Sequence, residues 1–300
     1  MSEYPYESLA SLKRAVKDLV RNQGLPLATV QRDFIFHRFL HRVFTLAPTQ
    51  YVLKGGHSML ARIPDARTTR DVDFSLVDSR DLDEGIALLR EAGLLDEGDF
   101  LRFEYTGEEP ISGQDLSRFY MGKRLAFDVY EEGNKTGTIS VDLVSGCNIT
   151  DVPVKMAPLN RVALPGLSGA DYLLYPTVDR IADKFCATLE KYGDGRDSSR
   201  VRDLVDLVIT VLNEEFSAAK LRIAVDSELS RRKLHKPNSF SIPDSWISYP
   251  KKLSSFVPEE YRNISASAEL VARMLDPILD GKVTDGSWRP GTLEWEADEQ

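Results

Sequence analysis

Apolar residues recur at helical spacing near the start of the chain. Leu12, Val16 and Leu19 mark one helix within residues 4–45, and Phe34, Phe36, Phe39, Leu40 and Val43 mark a second. Gly24-Leu25-Pro26 breaks the pattern between them. Tyr51-Val52-Leu53 is a short apolar strand running into Gly55-Gly56, and residues 58–62 open a short helix. Over residues 71–77 the period changes to two: Val72, Phe74 and Leu76 alternate with Asp71, Asp73 and Ser75, as in a half-buried strand. Residues 83–92 pattern as a helix. Residues 100–105, 119–130 and 136–144 pattern as strands, with Glu132-Gly133-Asn134-Lys135 as turn chemistry between the last two. Pro153, Pro158, Pro165 and Pro176 make 145–176 irregular and place a domain boundary there. Beyond it the pattern is helical over 178–192, 200–213, 217–234 and 265–279, with a loop at 193–199. The prediction is an α+β first half around one sheet, residues 1–160, and a helical second half, residues 161–285. The acidic stretch 286–300, which holds Trp288 and Trp295, is expected to be a loosely held tail.

Composition narrows the class. The chain has 300 residues, 42% hydrophobic and 28% charged, which excludes collagen-like, low-complexity and wholly disordered chains. The longest uncharged run, residues 43–53, is eleven residues and too short to span a bilayer. Met1-Ser2-Glu3-Tyr4-Pro5 begins polar and acidic, so no signal peptide is expected. Cys147 and Cys186 are too few for a disulfide scaffold or a cysteine zinc cage, and a reducing cytoplasm is the expected location. A net charge of −9 excludes wrapping nucleic acid by uniform positive charge. Two local basic features remain. Lys13, Lys17 and Arg21, with Arg14 adjacent, form a ridge on the first helix, and Arg231-Arg232-Lys233-Leu234-His235-Lys236 holds five basic residues in six, counting His235. Each reads either as a solvated face or as a hold on an RNA backbone through its phosphates.

The chemistry concentrates in Lys54-Gly55-Gly56-His57-Ser58 and Thr69-Arg70-Asp71-Val72-Asp73-Phe74. Strand side chains at i and i+2 share a side, so Asp71 and Asp73 present two carboxylates to one point. Such carboxylates repel unless a cation sits between them, and Mg²⁺ binds through one or two carboxylates plus substrate phosphates. The glycine pair precedes them on a strand-to-helix turn, where backbone and helix N–H groups meet an anion closely. In Thr138-Ile139-Ser140-Val141-Asp142-Leu143 the apolar residues alternate with Ser140 and Asp142, so Asp142 leaves its strand on the polar face. If that strand lies beside the first, three acids converge and two metal ions can clamp an in-line phosphoryl displacement. His37 and His41, one turn apart without the glutamate of a zinc protease, read as ordinary helix residues. No dinucleotide-binding or P-loop glycine motif is present.

Gly-Gly, Asp-x-Asp after a short gap and a lone Asp on a later strand resemble the nucleotidyltransferase pattern of the DNA polymerase β superfamily. Asp183-Lys184-Phe185 on one predicted helix, and Ser199-Arg200-Val201-Arg202-Asp203-Leu204-Val205-Asp206-Leu207 on the next, are similar to the AbiEii/MenT toxin nucleotidyltransferases of bacterial toxin–antitoxin systems. The resemblance covers roughly residues 54–207. It implies a polymerase-β-like domain with a mixed sheet and a C-terminal helical domain completing the cleft. It gives Asp71 and Asp73 the metal, Mg²⁺ at two sites with Mn²⁺ as substitute, and makes Asp142 the third acid, either a further metal ligand or the base for the attacking hydroxyl. It gives Gly55, Gly56 and Ser58 the triphosphate, makes Lys184 a phosphate-neutralising residue and Arg202 a nucleotide contact, and sets Asp206 at the site from the second domain. Lys184, Arg202 and Asp206 read without it are a solvated lysine and a surface ion-pair network. His57 is bulkier than a phosphate loop ordinarily carries. The implied reaction moves an NMP from an NTP to an acceptor hydroxyl, the 3′ end of tRNA, which blocks aminoacylation and calls for a cognate antitoxin. The rivals are NMP transfer to a protein hydroxyl and an inactive nucleotide-binding module; three intact acids speak against the latter.

Overall fold

The computed structural model describes residues 5–24, 26–77, 81–111, 121–191, 195–247 and 256–298. Parts of the predicted segments, at residues 1–4, 25, 119–120, 192–194 and 299–300, lie outside them. Ser8 and Ser11 form a reciprocal capping box that starts α1 (Leu9–Gln23), and Gly24 ends it in the left-handed conformation, φ 68°. Pro26 then opens α2 (Leu27–Leu46). The chain continues through β1 (Tyr51–Lys54), α3 (Gly55–Arg62), β2 (Asp71–Leu76), α4 (Leu82–Gly93), β3 (Leu101–Pro110), β4 (Met121–Glu131), β5 (Asn134–Ser145), β6 (Val154–Met156) and β7 (Tyr172–Leu174). These strands build one seven-stranded sheet in the order β3-β4-β5-β2-β1-β7-β6. It is mixed: β2 runs parallel to β5 and β1 parallel to β7, while the other neighbours are antiparallel.

One face of the sheet is apolar because its strands alternate. Val72, Phe74, Leu125, Phe127, Val141 and Leu143 pack in one core with Phe39, Leu40 and Val43 of α2. Charged residues of α2 are buried too: Arg42 forks onto Asp99 at 2.7 and 2.8 Å, and Arg38 Nε donates to the same carboxylate at 2.5 Å. His37 meets the Tyr172 hydroxyl at 2.8 Å, and burial pushes its pKa down to about 4. His41 Nε2 meets Glu97 Oε2 at 3.0 Å, so both helix histidines are ties within the fold.

The second half comprises α5 (Thr177–Leu189), α6 (Val201–Asn213), β8 (Phe216–Ser217), α7 (Ala218–Arg232), α8 (Asp244–Ile247), α9 (Ile264–Leu279), β9 (Ser287–Arg289) and β10 (Glu294–Glu296). Phe185, Leu207, Leu221 and Met274 centre its core, which also takes in Met59 and Leu60 of α3 and Ile63 just after it. Ala61 on the same helix belongs to the sheet's core. The helix that follows the glycine pair is therefore clamped between both halves.

Two features differ from the sequence pattern. The proline-rich stretch holds β6 and β7, and Leu164, Tyr172 and Leu174 belong to the sheet's core, so the change of core falls after residue 174 and not at 160. The C-terminal stretch is no loose tail. Trp288 is fully buried against Phe216 and Trp295, its Nε1 donates to the Val211 carbonyl at 2.8 Å, and β8, β9 and β10 form a small antiparallel sheet. Among the described residues no helix is long and apolar enough to cross a membrane.

Candidate active site

The polar face of the sheet carries a row of four charges. Strand register sets Arg124 of β4 opposite Asp142 of β5, Asp142 opposite Asp73 of β2, and Asp73 opposite Lys54 of β1. Residues opposite one another on neighbouring strands put their side chains on one face. The row therefore reads plus, minus, minus, plus. Asp71, two residues before Asp73, lies on the same face and is exposed. Burial, then the Asp142 charge, pushes the Asp73 carboxyl up to about 6; Asp71 adds to this while Lys54 and Lys184 oppose it. A carboxylate disfavoured in this way attracts a cation.

Each end of the row is fixed. Arg124 donates Nε to Asp142 Oδ1 and Nη2 to Asp142 Oδ2, both at 2.8 Å. Lys54 Nζ donates to Cys147 Sγ at 3.0 Å and sits 4.5 Å from the centre of the Tyr175 ring. Burial works against the Lys54 charge, but Cys147 and Asp183 outweigh it and hold the ammonium in place.

Gly55 follows Lys54 directly and starts α3 in the left-handed region, φ +57°. A Cβ there would lie 1.8 Å from Asp73 Oδ2, so only glycine lets the helix start come against the acid pair. A Cβ on Gly56 would lie 2.5 Å from Thr69 Cβ. Among the described residues no side chain caps the start of α3, which leaves first-turn N–H groups for an anion beside the acids. Ser58 does not join this cradle: it is fully buried and its Oγ accepts from Arg62 Nη1 at 3.1 Å. His57 turns onto Phe36 of α2, ring centres 4.5 Å apart, and among the described residues its Nε2 has no hydrogen-bond partner. Burial, with His37 and Arg32 adding, pushes its pKa down to about 3, so it stays neutral.

The helical half adds an ion chain. Lys184 of α5 is buried and donates to Asp203 Oδ1 at 3.0 Å and Asp206 Oδ2 at 2.6 Å. Arg67, in the loop before β2, forks onto Asp206 at 2.6 and 2.8 Å, and Arg200 meets Asp203 at 2.6 Å. Burial alone would raise the Asp206 pKa, yet Lys184 and Arg67 bring it down to about 2. The chain ties α5 and α6 to the loop that leads into Asp71. Arg202 is exposed, while Asp203 and Asp206 of the same helix are buried; the structure does not bring it into the cluster.

The basic features fare differently. Arg232 is buried and bound to Glu228, Asp183 and Glu190, Arg231 forks onto Glu228, and Lys236 meets Asp226 at 2.7 Å. Arg231 and Arg232 are thus internal braces, while Lys233, His235 and Lys236 of the same run are exposed. On α1, Lys13 pairs with Glu131, but Arg14, Lys17 and Arg21 are exposed.

Arg67 and Arg124 were not singled out in the sequence, and Lys54 and Asp203 stand in the quoted stretches without an assigned role. Arg124 shows a faint signal, since it precedes Leu125 and Phe127 on the polar phase of β4. Arg67 shows none, because a loop brings it to Asp206.

Asp71 and Asp73 suit a divalent ion that takes one or two carboxylates and completes its shell with substrate oxygens and water. Among the described residues no group of three His, Cys, Asp or Glu side chains is arranged to hold a metal. Asp142, the expected third ligand, has both oxygens on Arg124. Arg124 thus closes Asp142, while Asp71 and Asp73 offer the donor set that such an ion takes.

The sequence profile of the family described as nucleotidyl transferase AbiEii toxin, type IV toxin–antitoxin system, matches residues 38–285. Comparison with curated proteins gave no match. Among solved structures, MenT4, a nucleotidyltransferase toxin from Mycobacterium tuberculosis H37Rv, superposes with a TM-score of 0.53 at 15% identity, covering 91% of this chain and 90% of its own. JHP933 from Helicobacter pylori gives 0.43 at 14% identity, covering 83% and 94%. At such identity the first likeness speaks for the fold alone. With the profile matched over most of its length, the chain belongs to the AbiEii family of nucleotidyltransferase toxins.

Proposed function

We propose that the chain transfers an NMP from an NTP to a hydroxyl at the 3′ end of tRNA, with Mg²⁺ held by Asp71 and Asp73. The observation that carries this reading is the contact of Gly55 with Asp73, which brings an uncapped helix start against an acid pair. That juxtaposition suits a triphosphate and its cation together. Mg²⁺ supplies charge neutralisation on the phosphates when bound. The first-turn N–H groups at Gly55 and Gly56 hold the triphosphate, and Lys54 adds a positive charge beside them. In the reaction the acceptor hydroxyl gives its proton to water, its oxygen bonds to the α-phosphorus, the bond from that phosphorus to the bridging oxygen breaks, and pyrophosphate leaves with that oxygen. Positioning and charge do most of the catalytic work in such transfers.

Lys184 and Asp206 serve by holding Arg67 and the loop before Asp71 in place, with Lys184 lending its field to Asp73. The exposed Arg14, Lys17 and Arg21 support a tRNA acceptor by offering a phosphate-binding ridge on an otherwise acidic protein. Blocking the tRNA end stops translation, and the cell needs an antitoxin against it.

The test is incubation of the protein with each α-labelled NTP and either total tRNA or total protein. Label on tRNA, removed by 3′ exonuclease, is the expected result. Label on protein alone would move the acceptor to a protein hydroxyl, and no label on either would leave only nucleotide binding.

A further inference from the structure

The row Arg124, Asp142, Asp73, Lys54 has a cation at each end, and the two cations are held differently. Lys54 is half-buried against Cys147 and Tyr175 and sits next to the glycine pair. Arg124 spends its fork on Asp142, the acid beside Asp73. A two-pronged guanidinium–carboxylate pair is the strong kind of ion pair, and it engages both oxygens that a metal ion would use. The pair also lies at the rim: the Arg124 side chain is 36% exposed and that of Asp142 16%. A guanidinium so exposed can leave its partner without unpacking the core. The fork that fits a carboxylate fits a phosphate equally well.

We propose that Arg124 is the resident counter-cation of Asp142: it holds that carboxylate closed in the metal-free protein, yields it to a divalent cation at Asp73, and turns its freed fork onto the triphosphate. This rests on the nucleotidyltransferase reading of Asp71 and Asp73 given above. It explains why both Asp142 oxygens lie on Arg124 although Asp73 stands opposite Asp142 on the next strand. It also makes metal and nucleotide help each other. Metal binding releases the residue that binds nucleotide, and nucleotide captures the residue that competes with metal, which is positive coupling between the two.

Arg124 acts here as a positioning residue before the nucleotide arrives and as a nucleotide contact afterwards. Removing its charge must therefore move two affinities in opposite directions, which a merely structural arginine does not do. The probes are Mn²⁺, followed by electron paramagnetic resonance on nucleotide-free protein, and a non-hydrolysable NTP analogue titrated at saturating Mn²⁺. In Arg124→Met, Mn²⁺ should bind about fivefold more tightly, the worth of one half-exposed ion pair. The analogue should bind about tenfold more weakly, the worth of one charge-assisted fork. The Mn²⁺ gain should vanish in Arg124→Met combined with Asp142→Asn. Arg124→Lys, which keeps the charge and loses the fork, should lie between wild type and Arg124→Met on both axes, and it guards against a fold defect in the first variant.

Mn²⁺ affinity unchanged or weaker in both Arg124 variants, while Asp73→Asn still abolishes Mn²⁺ binding, overturns the clamp and leaves the metal reading standing. Tighter Mn²⁺ with unchanged analogue affinity overturns the transfer of the fork to phosphate. No saturable Mn²⁺ binding in any form, wild type included, overturns the clamp and the metal reading together.

Discussion

Substituting Gly55 by alanine tests the meeting of helix start and acid pair directly. The new Cβ would sit 1.8 Å from Asp73 Oδ2, and ordinary contact begins near 3.4 Å, so the carboxylate oxygen must retreat by about 1.6 Å. The backbone adds a second cost, because φ +57° is left-handed and penalises a non-glycine residue by about 1–2 kcal/mol. Misplacing a reacting group by about 1 Å costs on the order of 10²-fold in rate. Gly55→Ala should therefore lower kcat/KM for NMP transfer by about 10²-fold or more, while unfolding stability falls by only about 1–2 kcal/mol. Gly137→Ala on β5, where a Cβ meets nothing within 4 Å, is the control and should keep its activity. Steady-state transfer of labelled NMP and urea unfolding give the two numbers. Gly55→Ala with wild-type kcat/KM at equal folded fraction would refute the close approach on which the site is built.

Other predictions follow from named contacts. His57 has a folded pKa of about 3 against 6.5 unfolded, so the unfolded chain binds the proton first and stability drains away as pH falls from about 6.5 towards 3. His57→Phe should flatten that acid limb, by up to about 1.4 kcal/mol per pH unit, and leave turnover unchanged, since the ring faces Phe36. Acid-limb unfolding curves that overlay wild type would contradict the burial of a neutral imidazole. Lys184→Met strips the shared cation from Asp203 and Asp206 and should cost about 3 kcal/mol in thermal or urea unfolding; an unchanged melting temperature would show that the lysine is not held there. Charge reversal of Arg14, Lys17 and Arg21 should raise the KM for RNA without moving the melting temperature. It should also lower the log–log salt slope of RNA binding by about 0.7–0.9 per lost phosphate contact. Arg232→Glu, by contrast, should destabilise the fold itself, which circular dichroism melting reads directly.

Much of the site is written in local patterns. Alternation along residues 71–76 tells that Asp71 and Asp73 share a face, and the same period in 138–143 tells it of Asp142. The glycine pair marks the strand-to-helix turn for the same local reason. What local period does not encode is which strands are neighbours. The row from Arg124 to Lys54 exists because β5 lies between β4 and β2, and pairing partners far apart in sequence carry no mark of one another. The strands β6 and β7 have three residues each, too few to show a period; β7 is made a strand by the edge of β1 and β6 by β7. Arg232 looked like part of a surface patch because sequence shows charge and not depth. Glu228, Asp183 and Glu190 reach Arg232 from two helices and a helix end. Trp288 looked like part of an acidic tail because its partners Phe216 and Trp295 lie on different strands.

The central claim is that Asp71 and Asp73, set against the glycine turn, make this AbiEii family member a working NMP transferase. The direct measurement is transfer of α-labelled NTP to tRNA by wild type and by Asp73→Asn, with folding of both checked by circular dichroism. The account predicts label on tRNA with wild type and a loss of at least about 10³-fold with Asp73→Asn, the scale of losing an electrostatic catalytic group. Undiminished transfer by folded Asp73→Asn would contradict it.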